Sequence, residues 1–380
     1  MRVVVAPDKF KGSLTAAQVA AHVTAGLARA APGVEIAQVP VADGGDGTLD
    51  AAVSAGYRRI PVRAEGPTGE PVDTAYAERD RVAVVELADV SGLSRLPGKR
   101  LAPLTASSYG TGQVIRAALD AGCRRILLGI GGSACTDGGA GMVQALGGRL
   151  RDARGGEVGR GGAALAAMQS LDLTGLHPAL PLTEVVVASD VDNPLLGPRG
   201  AAAVYGPQKG ASPAEVMLLD AALARWAEAV HRATGVDAAG TPGAGAAGGV
   251  GFAALAVLGA RLQPGIDLIL DLVGFLSTLP GARLVITGEG SLDAQTLHGK
   301  APAGVAAAAR AADVPVVAVA GRSLLSPADL EPAGILAAYA LTDIEPDPDR
   351  CMTEAGPLLE RLATKVAIDW VTDGGKEATR

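Results

Sequence analysis

Six polar side chains crowd into ten residues: Ser291, Asp293, Gln295, Thr296, His298 and Lys300, with Glu289 just ahead of them. Carboxylates, an imidazole and an ammonium at this spacing can move a proton, hold a cation or pair with an anion. They follow Leu284-Val285-Ile286, an apolar run that reads as a buried strand. Between the two lies Thr287-Gly288-Glu289-Gly290, whose glycines are expected to turn the chain through conformations that other residues reach only at a cost. A helix is expected from near Pro302, since proline suits a first helical turn. Strand, glycine turn, polar cluster and helix form the layout of a ligand site at the carboxyl end of an α/β sheet.

Four more stretches have the same character. Asp8, Lys9, Lys11 and Ser13 lie between a strand and a helix capped by Thr15 and Gln18, where backbone N–H groups and two lysines can meet phosphate or carboxylate. Asp43 and Asp46, in Asp-Gly-Gly-Asp-Gly, can bind metal or a hydroxyl, or form a turn capped by Asp46; the spacing excludes an EF-hand. Residues 129–141 hold six glycines, and Gly131, Gly132, Ser133 and Asp137 are its candidates for an anion nest. Gly129–Ala134 also fits a dinucleotide fingerprint, but Cys135–Gly139 reads as continuing loop where that fingerprint needs a helix. Asp190, Asp192 and Asn193 follow a strand directly and suit Mg²⁺, which takes one or two carboxylates beside substrate phosphates; Asp190 is also a candidate general base. Lys209, among turn residues, is a further candidate cation for substrate or phosphate, and a second glycine run at 242–251, with no strand before it, reads as close packing.

Other chemistries lack their signatures. No HExxH or CxxC occurs, no GxSxG elbow and no GxxxxGK[ST] phosphate loop. The net charge of −7 and the absence of a basic stripe argue against nucleic acid as a partner. Three widely spaced cysteines fit a reducing compartment, the cytoplasm, better than a disulfide framework. Asp8, Lys9 and Lys11 precede any long apolar run, so no signal peptide is expected, and the uncharged stretch 241–260 reads as a buried helix and not a membrane span.

The elements that must position these residues are legible from their periodicity. Arg2–Ala6 is a strand, Val19, Val23 and Leu27 form one face of a helix, and Val34–Val41 is a second strand, which makes a parallel βαβ unit. Arg58–Ala64, Val72–Glu78 and Val82–Leu87 read as an antiparallel meander that opens a second domain. Strands at 125–128 and 184–188 follow, with a polar loop or short hairpin at 151–163 and a helix at 213–233. From Leu284 the chain returns to alternating strands and helices. The expected fold is two α/β domains with a cleft between. Residues 1–62 plus 282–380 build a parallel sheet from both chain ends, and 63–281 form an inserted, mixed domain.

Five stretches, in this order, resemble the type 1 glycerate kinase family: PDKFKGSLTA at 7–16, ADGGDGT at 42–48, GIGGSACTDGGAG at 129–141, SDVDNPLLG at 189–197 and TGEGSLDAQTLHGK at 287–300. The resemblance spans nearly the whole chain. It implies ATP-dependent, Mg²⁺-assisted phosphorylation of D-glycerate, with 2-phosphoglycerate as the product. Phosphoryl transfer needs cations against the phosphates, carboxylates for the metal and a base near the acceptor hydroxyl. The glycine stretches at 129–141 and at Gly288–Gly290 are then phosphate cradles, and Lys9, Lys11 and Lys300 neutralise phosphate or the glycerate carboxylate. Asp190 is favoured as base, Asp192 and Asn193 as metal ligands beside it, and Asp293 as an orienting or second metal group. Which loop takes nucleotide and which takes glycerate stays open. Two rivals remain at this stage: an NAD-dependent oxidoreductase of small hydroxy acids, and a sugar-acid binding protein without catalysis.

Overall fold

Short runs of Val, Ile and Leu alternate with alanine-rich stretches along the chain, and the computed structural model turns them into strands and helices in that order. It describes residues 1–297 and 299–372, so His298 and the tail from Asp373 on lie outside the described residues. The strands are β1 (Arg2–Pro7), β2 (Glu35–Gln38), β3 (Arg58–Glu65), β4 (Pro71–Arg79), β5 (Val82–Glu86), β6 (Arg125–Gly129), β7 (Arg149–Asp152), β8 (Met168–Asp172), β9 (Glu184–Ala188), β10 (Arg261–Gln263), β11 (Ala282–Leu292), β12 (Val316–Ser323) and β13 (Ala337–Ala340). The helices that matter below are α1 (Ala16–Ala30), α2 (Thr48–Ser54), α3 (Tyr109–Asp120), α4 (Ala140–Ala145), α5 (Pro213–Thr234), α6 (Ala246–Ala256), α7 (Ala301–Arg310) and α8 (Ala355–Trp370).

Two compact units result. The first comprises Met1–Asp43, Asp50–Gly56 and the described chain from Ile266 on; the second comprises Gly44–Leu49 and Tyr57–Gly265. The first unit holds a five-stranded sheet, β13-β12-β11-β1-β2, in which every pairing is parallel. Both chain ends meet in it, with Val3 opposite Leu284 and Val5 opposite Ile286. Apolar residues run on without alternation in β1 and β11 because helices cover both faces of a parallel sheet. On one face α1 starts at a capping box in which Thr15 and Gln18 exchange hydrogen bonds, then lays Val19, Val23 and Leu27 against Leu358, Leu359 and Leu362 of α8.

Two strands differ from their expected spans by more than two residues. β2 stops at Gln38, although Val39 and Val41 still donate to Val5 and Pro7 carbonyls at 2.8 and 3.0 Å. β11 runs through the expected glycine turn to Leu292, because Glu289, Ser291 and Leu292 keep pairing with β12.

The second unit holds a six-stranded mixed sheet, β10-β9-β6-β5-β4-β3. Its half from β10 to β5 is parallel, and β4 and β3 add an antiparallel edge, which is the meander. Pro61 sits in β3, the edge strand, where a missing N–H costs least. The polar stretch near 151–163 lies between the strands of a separate hairpin, β7 with β8. The uncharged stretch 241–260 contains α6, which is buried, and no helix among the described residues is long and apolar enough to cross a membrane.

Gly26 of α1 gives a direct test of this packing. A Cβ there would lie 2.3 Å from the Glu360 carbonyl oxygen and 2.7 Å from Ala363 Cβ. Backbone cannot yield as a flexible side chain can, so overpacking outweighs the ~1 kcal/mol of helix propensity gained by losing glycine. Gly26→Val should lower the thermal midpoint, at a cost of ~1–3 kcal/mol. Gly33→Ala, with nothing within 4 Å of its added methyl, should leave the midpoint unchanged, as calorimetry of the two variants would show.

Candidate active site

In the first unit, charged groups gather at the carboxyl ends of β1 and β11 and in the loop after β2. Asp8 follows β1 directly and is 7% exposed. Its Oδ1 accepts from the Lys9 amide at 2.6 Å and stands 3.8 Å from Lys9 Nζ. Burial pushes its carboxyl up from 3.8 to about 7; Lys9 pulls the other way, and Asp43 and Glu289 add to the rise. Glu289, near the end of β11, is raised for the same first reason, against the Thr296 hydroxyl and Lys300. Thr296 donates to its Oε1, and Lys300 Nζ lies 3.8 Å from its Oε2. Asp293 makes that contact possible. Its Oδ1 accepts from Gln295 N at 2.8 Å, its own N–H donates to Thr296 Oγ1 at 2.9 Å, and the turn so formed delivers Thr296 to Glu289.

Some expectations in this unit need correction. Gly288 and Gly290 do not turn the chain and are not a phosphate nest. They lie in β11 without positive φ, and a Cβ on Gly288 would fall 2.1 Å from the Val319 carbonyl oxygen, so close strand packing explains that glycine. The left-handed turn comes later, at Gly299, with φ 85°. Ser13 donates to the Phe10 carbonyl at 3.1 Å and closes a local turn, while Lys11 is exposed.

In the second unit, the carboxyl ends of β5, β6 and β9 carry the polar groups. Gly44 and Gly45 lie against the 129–139 loop so closely that a Cβ on Gly129 would be 2.6 Å from Gly44 O, and one on Gly131 would be 2.7 Å from Gly45 Cα. Glu86 closes β5 and holds that contact from below. It is 5% exposed and accepts from Gly47 N at 3.2 Å and Leu49 N at 2.9 Å. Burial pushes it up to about 7, Leu49 N–H opposes, and Asp46 adds to the rise. Sequence reasoning passed over Glu86. Its signal was an acid ending an otherwise apolar strand.

The glycine-rich loop is more enclosed than its composition suggests. Asp137, expected at phosphate, has no exposure and is an internal brace. Its Oδ2 accepts from Ser108 N, Ser108 Oγ, Ser107 Oγ and Gly141 N at 2.8, 3.0, 3.1 and 3.3 Å, and its Oδ1 from Gly139 N at 3.1 Å. Ser107 and Ser108, a small polar pair just before α3, were also missed. Ala134 N donates to Ser91 O and Gly138 N to Gly248 O, so only Gly131 and Gly132 reach the surface between Gly129 and Gly139. The loop runs on until α4 begins at Ala140, which is not the helix placement a dinucleotide fingerprint requires. Gly248 and Gly249 pack on Cys135 and Gly138, in keeping with the close-packing role expected for that run. Cys135 is buried and its thiol is pushed far up by burial, which leaves no reactive thiolate. Lys209 is buried too and donates to Ser133 Oγ and to the Cys135 carbonyl.

After β9, Asp190 is exposed and its Oδ1 accepts from Gly265 N at 2.8 Å. Asp192 is exposed beside Arg199. Asn193 is turned into its own loop: Nδ2 donates to Arg199 O at 2.8 Å and Oδ1 accepts from Tyr205 OH at 2.6 Å. Among the described residues no three His, Cys, Asp or Glu side chains form a ready-made metal cage. Asp190 and Asp192 are still a suitable donor pair for Mg²⁺, which takes one or two carboxylates and fills its shell with water and phosphate oxygens.

Comparison with known proteins finds relatives over nearly the whole chain. The model of the glycerate kinase family matches residues 3–371. A glycerate kinase of Bacillus subtilis (strain 168) is 44% identical over 370 residues, 97% of each chain. A glycerate 2-kinase of Escherichia coli (strain K12) is 44% identical over 325 residues, 84% of this chain and 85% of its own. A crystal structure of a Salmonella typhimurium LT2 protein assigned as glycerate kinase 2 superposes with a TM-score of 0.85 at 42% identity, covering 97% of each chain.

The raised carboxyl of Asp8 has a consequence for stability. Between 3.8 and about 7 the folded chain holds a proton on Asp8 that the unfolded chain has released, so stability falls as pH rises through that window. Asp8→Asn removes this cost while keeping an acceptor for the Lys9 amide. Its thermal midpoint should match the wild type at pH 4 and exceed it at pH 8, by up to a few kcal/mol in stability. Scanning fluorimetry of both proteins across that range would check it; a constant difference at every pH would contradict it.

Proposed function

The chain belongs to the glycerate kinase family, and on that premise we propose that it transfers the terminal phosphoryl group of ATP to a hydroxyl of D-glycerate, giving ADP and 2-phosphoglycerate. The observation that carries this reading is the 44% identity to a glycerate kinase over 97% of the chain. The 2-position is supported by the likeness to the Escherichia coli 2-kinase.

The chain's own groups suit the demands of phosphoryl transfer, which is chiefly positioning and charge neutralisation. Gly131 and Gly132 offer backbone at the surface of a rigid loop, and Ser133 adds a hydroxyl; together they suit phosphate oxygens. Lys9, Lys11 and Lys300 suit phosphate or the glycerate carboxylate. Asp190 and Asp192 suit Mg²⁺, with Asn193 fixing their loop, and the ion when bound supplies neutralising charge on the phosphates. Asp293 orients Glu289 through Thr296. Asp190 is the proposed acceptor of the glycerate hydroxyl proton. A second assignment, Asp8, is favoured by one observation: a carboxyl pushed up to about 7 is matched to proton transfer near neutral pH. The partners are a small sugar acid and a nucleotide, with neither nucleic acid nor membrane. Three free, buried cysteines suit a cytoplasmic enzyme.

Purified protein with ATP, Mg²⁺ and D-glycerate should release ADP above the level without glycerate, and the phosphoglycerate formed should resolve as the 2-isomer. A folded sample with no glycerate-dependent ADP sinks the reading. Asp190→Asn should lower turnover by ~10²–10⁴-fold if Asp190 is the base. Near-normal turnover of that variant, with loss of the rising limb of the pH–rate profile in Asp8→Asn, gives the base role to Asp8.

A further inference from the structure

Lys209 has no role in the mechanism above, yet its position is costly. It is 2% exposed, and an ammonium taken out of water is expensive unless its protons find acceptors. Burial accordingly lowers its basicity, against the pull of Asp137. An apolar side chain of the same length would fill the space more cheaply. The loop that Lys209 touches has other ties besides its bond to the Cys135 carbonyl, since Asp137 binds Ser108, Gly139 and Gly141, and Trp226 Nε1 donates to the Gly138 carbonyl at 2.9 Å.

What Lys209 does fix is the polarity of one hydroxyl. Its Nζ lies 2.8 Å from Ser133 Oγ. An ammonium can only donate, so Ser133 Oγ accepts from it, and the hydroxyl hydrogen has to be given elsewhere. Among the described residues no protein acceptor takes that hydrogen. Ser133 is 6% exposed and follows Gly132, the exposed, left-handed residue of the loop at φ 73°. We infer that Lys209 is a positioning residue that never touches the ligand and makes Ser133 an obligate donor to an anionic oxygen bound over Gly131 and Gly132. The inference rests on the kinase reading for the identity of that anion, a phosphate of ATP or the carboxylate of glycerate.

The test compares wild type, Lys209→Met, Ser133→Ala and the double variant. Direct calorimetric binding of ATP and of D-glycerate accompanies KM and kcat for each and the thermal midpoint. A lost hydrogen bond to an anion should weaken binding of one of the two by about 10-fold or more. Both single variants should weaken the same ligand, the double variant should be no worse than either single one, and the losses of affinity should not scale with any fall in the midpoint that follows from the lost bond to the Cys135 carbonyl. Weakened ATP identifies the anion as phosphate, and weakened glycerate identifies it as carboxylate. Unchanged affinity for both ligands in Lys209→Met, or effects that multiply in the double variant, overturns the inference. So does a loss of affinity that tracks a lowered midpoint. If Lys209→Met does not fold, Ser133→Ala against Ser133→Thr decides: the threonine should restore what the alanine loses, and an alanine variant that binds like wild type overturns the inference. An inactive wild type that still binds ATP sinks the kinase reading and leaves the Lys209 comparison intact.

Discussion

Carboxylates buried at the carboxyl ends of parallel strands, or in the loops that follow them, are the constraint around which each unit is arranged. Asp8, Glu86, Asp137 and Glu289 are exposed by 7%, 5%, 0% and 9% respectively. A carboxylate so enclosed must be surrounded by donors, paired with a cation or left holding a proton. The four are treated differently. Asp137 receives five hydrogen bonds from serines and loop amides and so acts as a structural anchor. Glu86 receives two amides and Asp8 one, and both are pushed up to about 7. The number of donors therefore sets how far burial pushes each carboxyl up, and Glu86 holds its loop with two amides while still being raised.

Glycine serves the same arrangement by permitting close approach more often than by turning the chain. Gly129 and Gly131 lie against Gly44 and Gly45 at distances no Cβ would allow, and Gly248 does the same against the Cys135 carbonyl. The outcome is a loop whose interior is as tightly packed as a core and whose surface is reduced to Gly131 and Gly132. A rigid loop of this kind suits phosphoryl transfer, because donors already in place cost no reorganisation when charge develops. Lys209 fits the same logic from beneath, as a buried donor that sets which way a hydroxyl can point.

Much of this was legible in the chain before any fold was known. The parallel sheet built from both ends, the antiparallel meander, the helix capped at Thr15 and the five glycine- and acid-rich stretches are local patterns, each set within a few residues by periodicity, capping or turn chemistry. Family membership was legible for the same reason, since those stretches keep their order and types. The length of β11 was not legible. Thr-Gly-Glu-Gly reads as a turn by itself, and only the neighbouring β12, pairing with Glu289, Ser291 and Leu292, keeps it extended.

The chemistry of individual acids was decided by tertiary structure alone. Asp137 and Asp190 look alike in sequence, each an acid in a loop that follows a strand, but one is enclosed by Ser107 and Ser108 from about thirty residues upstream and the other is exposed. Glu86 gains its role from Gly47 and Leu49, and Lys209 from Ser133 and Cys135, partners that no spacing rule predicts. Sequence determined which residue types stand at the ends of which strands, because strand and turn signals are short-range. Burial and hydrogen-bond partners are sums over distant segments, so only the folded chain could determine which of those residues hold the structure and which are left to act.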